Sequence, residues 1–203
     1  MKKVGLYFGT FNPIHVGHLI IANYMADYTE LDEVWLVVSP QNPFKQKSSL
    51  LADYHRLAIA RIAVEDNSKV KVTDVEFSLP KPSYTINTLL ALEEKHPDHQ
   101  FALVMGEDNL RTLHKWRSFD DIVNLHKIYV YPRVLTLQEK QDMKAYRGRT
   151  ELRDHQNVIQ VDAPVMKLSA SFIRKAIQNG HDVRYLLTEA VYDYITEMHF
   201  YEN

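Results

Sequence analysis

Residues 8–18 read FGTFNPIHVGH and place two histidines, His15 and His18, three positions apart. On a helix that spacing puts both imidazoles on one side, and each offers a directed N–H donor. Donors of that kind suit phosphoryl oxygens. The run also holds Gly9 and Gly17, two of only six glycines in the chain, and an Asn12-Pro13 step. Gly9 lets the backbone turn and approach a ligand, Pro13 stiffens the loop, and Gly17 leaves room beside the first turn. Each part has a plainer use as well: a turn glycine, a surface or hydrogen-bonded histidine, or two ligands of a metal whose third ligand does not stand nearby.

Something must hold these residues in place. VGLYF precedes them with the look of a buried strand, and LIIANYMADY follows as a helix. A helix N-terminus carries unpaired N–H groups and the positive end of the macrodipole, which draws phosphate. Further strands are expected at Val4–Phe8, Val34–Val38, Val70–Val72, Phe101–Met105, Ile128–Tyr131 and Val158–Val161. Helices are expected near 16–28, 52–65, 84–95, 136–146 and 169–178, with a helical stretch over 183–198. Residues 42–51 read as a long loop, and 107–121 as short irregular helices and turns. Leu57, Ile59, Ala60, Ile62 and Ala63 give the second helix an apolar face.

Strict alternation of strand and helix implies right-handed crossovers and a mostly parallel sheet with helices on both faces. The fold class is α/β, a single Rossmann-like doubly wound domain over residues 1–203, its C-terminal helical part beginning near 165. Such sheets bind ligands outside the carboxyl ends of their strands, and the first strand–helix join is one of those ends.

Composition narrows the function. The chain has 203 residues, enough for one sizeable core, and a net charge of −2, which speaks against a broad nucleic-acid or membrane surface. There is no cysteine, so disulfides, thiolate catalysis and Cys-bound zinc are excluded. No apolar run reaches the roughly 18 residues of a membrane span, and no signal peptide is evident. A cytoplasmic protein is expected.

The segment GTFNPIHVGH resembles the G-x-F-x-P-x-H-x-G-H signature of the nucleotidyltransferase α/β superfamily. LSASFIRKA, residues 168–176, resembles that superfamily's late S-x-S-x-[IL]-R segment, with Ser169 and Ser171 suited to a helix N-cap and Arg174 on the first turn. Between them SPQNPFK (39–45), PSYTINTL (82–89) and VMGEDNLRTLHKW (104–116) are similar, in order, to segments of the nicotinate mononucleotide adenylyltransferases.

The resemblance implies adenylyl transfer from ATP to nicotinate mononucleotide, giving nicotinate adenine dinucleotide and pyrophosphate, with Mg²⁺ carried by the ATP. By position it implies an ATP cradle at Gly9, Thr10 and Phe11, and triphosphate contacts from His15, His18 and Lys45. It further implies ribose contacts at Gly106 and Asp108, a phosphate clasp from Ser169, Ser171 and Arg174, and a pyridine site at Thr85 and Trp116. The family often carries an R-P-G segment after the fifth strand whose Arg meets the mononucleotide phosphate. This chain reads YPRVL at 131–135, so Arg133 stands nearest that role.

Other readings stay open at this point. Phosphopantetheine and nicotinamide mononucleotide are alternative acceptors within the superfamily. HVGH and KLSAS distantly echo class I aminoacyl-tRNA synthetases, although the chain lacks their length and basic charge. A non-catalytic nucleotide sensor is a third. No G-x-x-x-x-G-K-[ST] or G-x-G-x-x-G is present, which removes P-loop and dinucleotide-fingerprint readings.

Overall fold

The computed structural model describes residues 1–40, 50–132 and 150–202. Six strands form one sheet: β1 (Lys2–Gly9), β2 (Glu33–Val38), β3 (Val70–Thr73), β4 (His99–Gly106), β5 (Ile128–Tyr131) and β6 (Val158–Gln160). Their order is β3-β2-β1-β4-β5-β6, and every pairing is parallel. All six lie where they are expected; the inner strands β1, β2, β4 and β5 are mostly buried and read as apolar stretches, while the edge strands β3 (VKVT) and β6 (VIQ) are only partly buried.

Helices fill the crossovers. They are α1 (Val16–Tyr28), α2 (Asp53–Ile62), α3 (Thr85–Lys95), α4 (Glu107–Thr112), α5 (Phe119–Leu125), α6 (Ala170–Gln178) and α7 (Glu189–Glu197). The helix expected at 136–146 lies outside the described residues. The stretch expected over 183–198 is divided: Arg184–Leu186 makes a 3₁₀ turn, Leu187 is extended, and Thr188 caps α7 by accepting from the Val191 N–H. The break follows from Thr188, whose short hydroxyl side chain competes with the backbone for that donor.

Each face of the sheet has its own core. One is built with Met25, Leu36, Ile59, Ile173 and Val191, joining α1, α2, α6 and α7; the other with Leu6, Leu89, Leu103, Leu113 and Ile122, joining α3, α5 and the turn after α4. The chain changes faces between β1 and β4, whose residues Tyr7 and Val104 are partners. That is the topological switch point, and a crevice opens there.

Candidate active site

A cavity of about 750 Å³ lies at the carboxyl ends of β1 and β4. Its floor is made by Tyr7, Phe8 and Gly9 of β1 and by Leu103, Val104 and Met105 of β4; α1 contributes Gly17, His18 and Ile21 to one wall, with His15 just ahead of the helix. Ser169, Ser171 and Arg174, at the start of α6, close another side, and Trp116 and Tyr131 a third. The structure therefore gathers Gly9, Thr10, Phe11, His15, His18, Trp116, Ser169, Ser171 and Arg174 around one space.

His15 caps α1, in extended conformation at φ −149°, and helix begins at Val16. The two imidazoles stack with centroids 3.7 Å apart and planes 21° off parallel. The His15 N–H donates to His18 Nδ1 at 3.3 Å, so the proton of neutral His18 sits on Nε2. His15 is buried, and that burial pushes its pKa down to about 4. It is neutral at pH 7, and the stack favours this, since two imidazolium rings at that separation repel. The pair forms a capping box, with the His18 N–H facing the His15 side chain and the His15 N–H facing the His18 side chain.

Gly9, which ends β1, and Gly17, in the first turn of α1, act through space. A Cβ on Gly17 would stand 3.1 Å from His15 Nδ1 and Cε1, and one on Gly9 would stand 2.8 Å from the Phe11 ring. Both glycines also line the cavity, so their bare backbone borders these two rings and the open space alike. Phe11 is held at φ +42°, buried, with its ring edge-on to His18 at 5.1 Å. Tyr7 sets its ring edge-on to His18 at 6.1 Å and shares a 3.0 Å hydrogen bond between hydroxyls with Tyr131. His18 stands in an aromatic frame drawn from β1, the loop and, through Tyr7, β5.

At α6, Ser169 accepts from the Phe172 N–H at 3.2 Å, the N-cap expected of it. Arg174 donates to Ser171 Oγ at 3.3 Å and to the Asn12 carbonyl at 2.7 Å. The early and late signatures meet in that second bond.

Other residues stand apart. Gly106 ends β4 and caps α4; a Cβ there would lie 2.5 Å from Asp108 Oδ1, so glycine leaves space for that carboxylate. Their neighbours Met105 and Asn109, rather than Gly106 and Asp108 themselves, line the cavity. Thr85 opens α3, half-buried and outside the lining. Beside it the Tyr84 ring lies under the Arg117 guanidinium at 5.1 Å, which ties the start of α3 to the Trp116 segment. Lys45 and Arg133 lie outside the described residues.

Two supporting residues escape the sequence reading. Asn12 is buried and accepts at Oδ1 from Leu51 N–H at 3.1 Å and Tyr201 hydroxyl at 2.8 Å. Arg56 is wholly buried in α2 and donates to the carbonyls of Thr10, Ser39 (3.0 Å) and Leu51 (3.0 Å), with Asp53 at 2.6 Å. A signal for Arg56 existed: it lies three and four residues before Ile59 and Ala60, on the inward face of α2. Asn12 falls at a variable position of the motif and gives none.

Residues 6–176 match the cytidylyltransferase-like family model. A probable nicotinate-nucleotide adenylyltransferase of Flavobacterium johnsoniae is 50% identical over 200 residues, covering 98% of this chain and 99% of that protein. Its counterpart in Christiangramia forsetii is 48% identical over 201 residues, with 99% of each covered. The solved structure of Plasmodium falciparum nicotinic acid mononucleotide adenylyltransferase complexed with NaAD shares the fold at a TM-score of 0.75 and 20% identity, over 99% of this chain and 98% of that one. The chain belongs to the nicotinate-nucleotide adenylyltransferases, within the cytidylyltransferase-like family.

Proposed function

We propose that the cavity between β1 and β4 is where this chain performs its family's reaction, adenylyl transfer from ATP to nicotinate mononucleotide, a step in making NAD. An oxygen of the mononucleotide 5′-phosphate attacks the α-phosphorus of ATP, the bond to the α–β bridging oxygen breaks, and pyrophosphate leaves. The attacking phosphate is already an anion, so the reaction needs no strong base. Positioning and charge stabilisation carry the rate.

The observation that carries this reading is the meeting of His15, His18 and Arg174 around one cavity, with Arg174 bonded to the His-bearing loop at Asn12. His18, with its proton on Nε2, donates to the triphosphate as charge develops. Neutral His15 stacks on it and holds that orientation. Arg174 takes charge on the departing pyrophosphate. Lys45 is the candidate for a further cation on the triphosphate, and Arg133 for one on the mononucleotide phosphate. Trp116 offers its face to the pyridine ring, with Thr85 at the α3 start for the carboxylate. Gly106 and Asp108 serve the riboses.

Among the described residues no group of three or more His, Cys, Asp or Glu could hold a metal ion. We assign the divalent metal of the reaction to the substrate, as Mg²⁺ on the ATP phosphates, where phosphate oxygens and water suit it. The chain is read as one nucleotidyltransferase domain over 1–203, and its lack of cysteine agrees with a cytoplasmic setting.

The test follows the α-phosphate. With ATP labelled there, label should pass to a dinucleotide when nicotinate mononucleotide is present and stay in ATP when it is absent. Label released as AMP without a dinucleotide would overturn the assignment.

A further inference from the structure

The last residues of the chain reach the first loop, and the reaction as derived makes no use of them. α7 ends in a tight turn: the His199 N–H donates to the Thr196 carbonyl at 3.1 Å and the Phe200 N–H to the Ile195 carbonyl at 3.0 Å. His199 takes φ +52° at the position where glycine is usual, and Tyr201 is left-handed again at φ +66°. Two strained non-glycine residues in three persist only where the surroundings hold them. Here the hold is Phe200, whose ring packs on His55 of α2 at 4.5 Å and on Tyr194 of α7 at 6.0 Å.

The bend sends the Tyr201 hydroxyl to Asn12 Oδ1 at 2.8 Å. Direction is fixed, because an amide oxygen only accepts. The Leu51 N–H donates to the same oxygen at 3.1 Å, and Arg174 donates to the Asn12 carbonyl at 2.7 Å. One loop residue therefore takes donors from three distant segments. Burial raises the Tyr201 pKa while Arg174 and Arg56 pull it down, with burial the larger, so the hydroxyl keeps its proton.

We infer that Tyr201 is a positioning residue of the nucleotide site, fixing through Asn12 where Arg174 presents its guanidinium to phosphate. The inference rests on the cavity being the ATP site. Removing the hydroxyl leaves the ring packed but frees Asn12 to shift, and Arg174 shifts with it.

The experiment is a double-mutant cycle read by calorimetric titration with MgATP alone, on the native chain, Tyr201→Phe, Arg174→Ala and the double variant, with melting temperatures alongside. Tyr201→Phe should weaken MgATP binding by roughly 3- to 10-fold. Arg174→Ala should weaken it further, and adding Tyr201→Phe to Arg174→Ala should change nothing more. Phe200→Leu loosens the anchor but keeps the hydroxyl; it should weaken binding in the native background and not in Arg174→Ala. Additive losses, or a melting shift in both backgrounds without a change in affinity, would reduce Tyr201 to a structural role and overturn the inference. A native chain that binds no MgATP overturns it together with the site. A native chain that binds MgATP but makes no pyrophosphate with nicotinate mononucleotide overturns the acceptor alone, and the cycle still decides Tyr201.

Discussion

Arg174 donates from Nη1 to the backbone carbonyl of Asn12 at 2.7 Å, across 162 positions of sequence. A second donor goes to Ser171 Oγ at 3.3 Å. Two of the five guanidinium donors thus set the plane of a side chain that lines the cavity, and a planar fork held that way is pre-organised for phosphate.

Replacing Arg174 by Lys keeps the charge and loses the fork. The expected result is a 10- to 100-fold fall in kcat/KM for ATP, roughly 1.4–2.7 kcal/mol, with KM for the mononucleotide little changed. Steady-state kinetics with each substrate varied in turn would show it. Equal losses on both substrates would mean Arg174 supports the loop without touching ATP.

His18→Ala removes the Nε2 donor. By analogy with deletion of one oxyanion donor, kcat should fall on the order of 100- to 1000-fold, while the melting temperature stays close to that of the native chain, since His18 is half-buried and not part of either core. Near-native turnover in the purified variant would remove His18 from the reaction.

The buried His15 makes stability depend on pH. Its folded pKa of about 4 lies below the 6.5 of the free side chain, so between those values the unfolded chain binds the proton first. Stability is fully present above pH 6.5 and declines as pH falls toward 4. The loss at pH 4.5 amounts to about 2–3 kcal/mol. Urea unfolding at pH 7 and 4.5 measures it against His15→Gln, which should lose that much less. The same pH slope in both would assign the effect elsewhere.

Gly9→Ala places a Cβ 2.8 Å from the Phe11 ring. That ring is buried and has little room to retreat, so the variant should lose about 1–3 kcal/mol of stability. Because Phe11 packs edge-on to His18, turnover should fall as well. A variant of native stability and rate would show that the ring moves freely and frames nothing.

Arg56→Met tests the scaffold. Three backbone carbonyls lose their donor inside the protein, at a cost of roughly 2–5 kcal/mol. Thermal melting reads that loss directly; a change under 1 kcal/mol would mean that water replaces the guanidinium.

The inner strands were legible in the sequence because each holds a short apolar run, and the edge strands β3 and β6 because of their β-branched Val70, Val72, Val158 and Ile159. The motif residues at both ends were legible because their spacing survives in one dimension. What the sequence hid is three-dimensional satisfaction. Nothing in a one-dimensional pattern says that the Asn12 amide oxygen takes donors from residues 51 and 201, or that the Arg56 charge lies inside and holds the carbonyls of Ser39 and Leu51. Spacing likewise does not say that a Cβ on Gly9 or Gly17 would meet the Phe11 or His15 ring, at two positions that also line the cavity; side-chain direction decides it.

The most direct test of the central claim is pyrophosphate release with ATP and Mg²⁺, comparing nicotinate mononucleotide, nicotinamide mononucleotide and phosphopantetheine at equal concentration. The account predicts strong preference for nicotinate mononucleotide, lost in His18→Ala. Preference for phosphopantetheine, or release that ignores the His18 substitution, would contradict it.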